Sequence, residues 1–301
     1  MRTPLFGRNA GGFYDFANVA IHPADIWFVG STVSGCSDAL GFGKNPDAPF
    51  ATLDYAIDYC TDSAGDVIYL LPGHAELVTE AGGLTMDCIG AHIIGVGEGA
   101  LQPTITLNTA DTADILISAA SITIENVNFV AGFEDIVAAI DVDATDFTLR
   151  GCRFTTDHVG NHNALIWIQD GALLTSNRIT VEDCFCIAID ASNTHFINYA
   201  GTGDGHIFRR NTLIGDWGTM AIGGAGIITN AIICDNYVYN VATDADAGIN
   251  LAATATGVVM NNRVSTGHAS ASSVTAAACA LCENYGGLIS DANGILEPIA
   301  T

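Results

Sequence analysis

Basic residues are scarce in this chain. Nine Lys and Arg stand against 33 Asp and Glu in 301 residues, a formal net charge of −24 and a pI near 4.2. Such a surface repels nucleic acid and anionic lipid, so neither is an expected partner. Proline is also scarce. There are seven, and none falls between Pro103 and Pro298, which leaves most of the chain free of residues that cannot donate to a β-ladder. No apolar run is long enough to span a membrane; "GVVM" and "ALIWI" are strand-sized. The N-terminus, "MRTPLFGRNAGGFYDF", lacks the apolar core of a secretion signal, so synthesis and folding in a cytoplasm are expected. The nine cysteines are an odd number, and Cys279–Cys282 is a CxxC without a partner pair. Reduced, mostly buried thiols are expected, not a disulfide framework or a zinc site.

What the chain does have is apolar material, 49% of residues with a mean hydropathy of +0.35, arranged periodically. "ITIENVNF" (122–129), "FTLRGCRF" (147–154), "ITVEDCFC" (179–186), "IFRRNTLI" (207–214), "IICDNYVY" (232–239) and "GVVMNNRV" (257–264) share one pattern. It reads apolar-x-apolar-x-turn-x-x-apolar. "HIIGVG" (92–97) and "CALCENYG" (279–286) look like outer copies. The turn position falls at Gly95, Asn126, Gly151, Asp183, Arg210, Asp235, Asn261 and Glu283. A repeat of this length predicts an all-β, right-handed parallel β-helix of about eight coils, stacked about 4.8 Å apart. Alternate side chains fill interior ladders, and Asn, Asp or Gly at the corner accepts the left-handed backbone. In "FTLRGCRFT", Phe147, Leu149 and Phe154 should point inward, Cys152 should pack just past the corner, and Arg150 and Arg153 should lie outside against acids such as Asp146 or Asp157.

A solenoid needs covered ends. Leu53, Ala56, Ile57 and Cys60 recur at helical spacing, predicting an amphipathic helix of about nine residues, capped by Asp47 or Thr52, that plugs the N-terminal end. The expected organisation is an extended arm over 1–26, an entry segment with the capping helix over 27–64, and the β-helix with a C-terminal cap over 65–301. The arm carries Arg2, Phe6, Arg8, Phe13, Tyr14 and Phe16, a set suited to anchoring on a partner.

The stretch "GKNPDAPFATLDYAIDYC…GDVIYLLPGHAE" resembles the entry to pectin-lyase-like β-helix proteins. With "HIIGVGEGALQPTITLNTA" it is similar to β-helical virion proteins of tailed bacteriophages. The resemblance implies a fold more than a chemistry. A polygalacturonase-type hydrolase would need an Asp-Asp pair, and the chain has none. "GDGH" (203–206) offers one Asp and one His. Arg209 and Arg210 are adjacent, so opposite strand faces are expected for them. Asp141 with Asp143, and Asp244 with Asp246, share faces and could each hold a weak cation, though solvated acidic turns are the simpler reading. His158 and His162 lie four apart in a loop, which does not suit a metal. His74 is expected to bond backbone near the first corner. Cys184 and Cys186 are expected to pack, since no Lys or His stands near to activate them. Trp167 and Trp217 are candidate sugar platforms, with Trp167 the more core-like.

The resemblance, with the missing catalytic motifs, implies a phage virion protein without enzymatic activity, cofactor or metal. In that reading it decorates or cements the capsid exterior. It forms a homotrimer and is held to the major capsid protein through the N-terminal arm. The alternative reading is a tail-associated β-helix that depolymerises or binds a polysaccharide.

Overall fold

The computed structural model describes residues 7–8, 14–15, 24–157, 159–171, 176–188, 192–241, 247–266 and 273–288. Within them the chain winds as a parallel β-solenoid with three faces. The first sheet has ten strands, from Ile26–Val29 and Val67–Leu70 to Cys279–Cys282. The second has nine, from Ala75–Val78 to Tyr285–Leu288, and the third eight, from Leu84–Met86 to Val274–Thr275. Each coil visits the three sheets in turn, and about eight coils are complete.

Alternation along each short strand builds the interior. On the first sheet, Ile68, Ile93, Ile124, Leu149, Val181, Phe208, Ile233 and Val259 stack rung upon rung, all nearly inaccessible to water. On the second, Phe129 stacks on Phe154 with ring centroids 5.2 Å apart. Each fully buried side chain of this size contributes about 1.5–3 kcal/mol relative to exposure, which offsets the cost of ordering so many short strands.

The corner between first and second sheets sets the register. Asn126, Gly151, Asp183, Arg210, Asp235, Asn261 and Glu283 all have φ between 51° and 62°, the left-handed conformation that turns the strand. Gly95 differs. It ends the strand His92–Gly95 outside the left-handed region, and it is glycine because a Cβ there would lie 2.1 Å from the Asn126 carbonyl oxygen.

The residue after each corner forms a second ladder: Val127, Cys152, Cys184, then Asn211, Asn236, Asn262 and Asn284. The four asparagines are buried and bonded in series. Asn211 N donates to Asn236 Oδ1 (3.0 Å), Asn236 N to Asn262 Oδ1 (3.1 Å) and Asn262 N to Asn284 Oδ1 (3.1 Å). Each Nδ2 also reaches a carbonyl of the preceding coil, as Asn236 reaches Phe208 O (3.0 Å). Chained bonds of this kind polarise one another and leave none of these four side-chain amides orphaned.

Outside, the first sheet carries an ion ladder. Glu125, Arg150, Glu182 and Arg209 lie on successive rungs. Arg150 bridges Glu125 and Glu182 at 2.7 Å each. Arg209 and Arg210 both reach Glu182, at 2.6 and 2.8 Å. The expectation of opposite faces for these arginines therefore fails: Arg210 sits at the corner with φ 56°, where strand alternation no longer applies. Arg150 and Arg153 do lie outside, but neither meets Asp146 or Asp157. Asp146 pairs with Arg178, Asp157 with His162, and Arg153 lies over the Phe185 ring.

The helix is Leu53–Ile57, five residues long and shorter than its spacing suggested, with Thr52 at its N-cap. Leu53, Ala56 and Ile57 are buried against the strands Ile26–Val29, Val67–Leu70 and Leu84–Met86. His74 and Glu76 lock this region. Ser31 N donates to His74 Nδ1 (3.1 Å), His74 Nε2 lies 3.0 Å from Glu76 Oε2, and Leu53 N donates to Glu76 (2.9 Å). Of the proposed arm, Arg2, Phe6, Phe13 and Phe16 lie outside the described residues. Gly7–Arg8 pairs with Tyr14–Asp15 as a short antiparallel ladder.

Candidate site on the third sheet

The outer face of the third sheet carries a row of uncharged polar groups and an acidic cluster. Register places Leu116, Asp141, Gln169, Asn198, Gly223, Asn250 and Thr275 on successive rungs of one outward row. Strand alternation alone puts them outside, because their neighbours Ile115, Ile140, Ile168, Ile197, Ile222 and Ile249 are the interior ladder. Asn198 Nδ2 donates to Gln169 Oε1 (3.1 Å). Gly223 is the gap in the row. A Cβ there would meet the Asn250 carbonyl at 1.9 Å, so the floor stays flat and backbone-lined. Beside it opens a cleft of about 420 Å³, lined by Met220, Leu251 and four alanines together with Gly224, Asn250 and Thr275.

Asp141 and Asp143 stand at the N-terminal end of this row, near Asp114. Burial, followed by the neighbouring charges of Asp143 and Asp114, pushes the Asp141 carboxyl up to about 6. Its Oδ1 has no hydrogen-bond partner among the described residues. Burial also raises Asp114, which accepts a 2.6 Å bond from Gly82 N. Asp143 lies against the next coil where Gly171 leaves room; a Cβ at Gly171 would be 1.9 Å from Asp143 Oδ1. A half-buried acid titrating near 6 beside a second carboxylate is the arrangement that proton transfer at an oxygen requires.

One position inward, the row Met86, Ile117, Val142, Asp170, Tyr199 puts a carboxylate into an apolar ladder. Asp170 is fully buried and pushed up to about 8, by burial first and then by Asp141 and Asp143. Ser176 Oγ donates to its Oδ1. His206 Nε2 lies 3.8 Å from its Oδ2, and the Tyr199 ring stacks on His206 at 5.5 Å. His206 Nδ1 accepts from Ile179 N (3.1 Å), so the neutral ring carries its proton on Nε2, facing Asp170. Burial lowers His206 to about 4. This is not a nucleophile arrangement. The serine bonds the acid instead of the histidine, and Ser176, Asp170 and His206 are all buried.

Other residues singled out in the sequence fall elsewhere. Trp167 and Trp217 are both fully buried, so neither is a sugar platform. Gly215 makes room for Trp217, whose ring would lie 2.5 Å from a Cβ there. Cys184 and Cys186 are buried, burial raises both thiols, and all nine cysteines are free. His158, Asp244 and Asp246 lie outside the described residues. Among the described residues no group of three or more His, Cys, Asp or Glu is placed to hold a metal ion, and no helix is long and apolar enough to cross a membrane.

No family model matches the chain, and no curated protein matches its sequence. Solved structures do share its solenoid. A rhamnogalacturonan lyase is 12% identical with a TM-score of 0.48, covering 91% of this chain and 65% of its own. The chain thus spans a little under two thirds of that enzyme's length. A lacto-N-biosidase from Eubacterium ramulus is 10% identical with a TM-score of 0.37, over 88% and 68% of the two chains. A pectin methylesterase in complex with a hexasaccharide is 16% identical with a TM-score of 0.34, over 91% and 74%. All three are enzymes by name, contrary to the expectation of a chain without enzymatic activity. The likeness is one of fold, so no residue role passes from them to this chain.

Proposed function

We propose that this chain is a carbohydrate-acting β-solenoid, a depolymerase-like protein whose site is the outer face of the third sheet. The observation that carries the reading is the pairing, on one row, of an acid titrating near 6 at Asp141 with an open polar floor. Gln169, Asn198 and Asn250 offer amides at regular rung spacing, the donor and acceptor pattern that sugar hydroxyls match. Asp141 is the proton donor in this reading, Asp143 is the second carboxylate, and the cleft at Met220–Thr275 seats the chain beyond it. The names of the structural neighbours support a carbohydrate as the substrate class. The sequence resemblance to phage virion proteins suggests a tail as the setting, in preference to a capsid exterior, since a glycan-acting surface is of use where a virion meets its host.

The test is to incubate the purified chain with a panel of bacterial and plant polysaccharides. Chain length is followed by size exclusion, and new ends by reducing-sugar release and by ultraviolet absorbance of unsaturated products. Cleavage of at least one polymer is expected, with a loss of about 10²–10⁴-fold in Asp141→Asn and a decline in rate as pH rises through 6. Cleavage that survives Asp141→Asn undiminished removes the site. A chain that neither binds nor cuts any polymer removes the function.

A further inference from the structure

A different face of the solenoid carries a second feature that the reading above does not use. On the outer row of the second sheet, successive rungs place Arg153, Phe185, Thr212, Tyr237, Arg263 and Tyr285 in line. Tyr237 and Tyr285 are 44% and 48% exposed, whereas Phe129, Phe154, Phe196, Phe208, Trp167 and Trp217 are packed inside the solenoid. They flank Arg263 one rung to either side, each step about 4.8 Å. Arg153 lies 5.1 Å from the Phe185 ring centroid.

The charges on this row are unusual for the molecule. Lys44, Arg150, Arg178, Arg209 and Arg210 each have a carboxylate partner. Arg153 and Arg263 have none among the described residues. In a chain of net charge −24, an unpaired guanidinium stands out, because acids are abundant enough to neutralise it. Both lie on the one row that also exposes tyrosines. Isolated cations on a solvated face would serve solubility. Cations set among flat rings on a rigid row, with Arg263 between two tyrosines, suit a ligand that presents both ring faces and anions.

We propose that this outer row of the second sheet binds an anionic glycan. Tyr237 and Tyr285 stack on sugar rings, and Arg263, with Arg153 further along, pairs the carboxylate or sulfate groups. The guanidinium fork matches either group bidentately. Tyrosine supplies a flat, amphipathic platform with little rotamer entropy to lose. The −24 surface repels polyanions everywhere else, so binding is confined to this row and weakens steeply with salt. A nucleic acid would need more phosphate contacts than two cations supply. The site lies on a separate sheet from Asp141, so it stands whether or not the third sheet catalyses.

The experiment is affinity electrophoresis or calorimetry on the full chain with hyaluronate, dextran sulfate, neutral dextran and poly-glutamate, at low and moderate salt. Hyaluronate separates a carboxylate preference from the sulfate preference read by dextran sulfate. Binding to at least one of the two is expected, with none to dextran or poly-glutamate. Tyr237→Ala and Arg263→Ala should each weaken it by about five-fold or more, with Arg263→Lys recovering only part. Both side chains are exposed, so an unchanged unfolding midpoint shows that each variant is folded. Equal binding of poly-glutamate or dextran, no binding of either anionic glycan, or wild-type affinity in both alanine variants overturns the proposal.

Discussion

The asparagine ladder makes the sharpest demand on the interior. Asn236 makes four side-chain hydrogen bonds. Its Oδ1 accepts from Asn211 N and Asn211 Nδ2, and its Nδ2 donates to Phe208 O and Asn262 Oδ1, all between 2.9 and 3.0 Å. Asn236→Leu keeps the branching at Cγ, adds volume and removes all four. Asn211 Nδ2 retains Val181 O, and Asn262 Oδ1 retains Asn236 N. The Asn211 amide and the Phe208 carbonyl lose the partners the ladder gave them, inside the rod. Each buried group left unmet costs about 1–3 kcal/mol, and the buried leucine returns about 1–2 kcal/mol. A net loss of about 2–4 kcal/mol is expected. Urea unfolding followed by circular dichroism measures it. A variant within about 0.5 kcal/mol of wild type with an unchanged denaturant slope would refute the claim that these bonds are cooperative and buried.

Two further outcomes follow from the charged groups. Asp170 binds its proton more tightly when folded, at about 8 against about 3.9 in an unfolded chain, so its contribution falls as pH rises between those values. His206, lowered to about 4, works in the opposite sense between about 4 and 6.5. Above 6.5 His206 no longer offsets Asp170, whose slope is at most about 1.4 kcal/mol per pH unit. Wild type should lose about 2 kcal/mol from pH 6.5 to 8, and Asp170→Asn, which can still accept from Ser176, should not. Parallel stability curves for the two proteins would contradict this. Glu182 is held down to about 2 by Arg150, Arg209 and Arg210 against the cost of its burial. The stability it supplies is present above about 4.5 and is lost as pH falls toward 2, by up to about 3 kcal/mol. Glu182→Gln should flatten the acid limb of a pH–melting curve, and an unaltered limb would show that the ion ladder does not stabilise the rod.

The sequence alone determined the solenoid. Alternation is a local property, and so is the left-handed corner, so the copies from 92 to 286 carry the period and the number of rungs in themselves. The inward placement of Phe147, Leu149, Cys152 and Phe154 follows from that period. The ladder of Asn211, Asn236, Asn262 and Asn284 is legible too, in the asparagine that follows each of the last four corners. Stacking decided the rest, because register across coils is set by loops of unequal length that no local pattern encodes. Only the fold shows that Glu182 serves three arginines from two neighbouring coils. Only the fold puts Asp141 beside Gln169 and Asn198, Asp170 against His206, and Tyr237 and Tyr285 on either side of Arg263. Residues 22 to 41 positions apart in the chain become rung neighbours at one backbone spacing. The chemistry of each surface is therefore a property of the stack and not of any one coil.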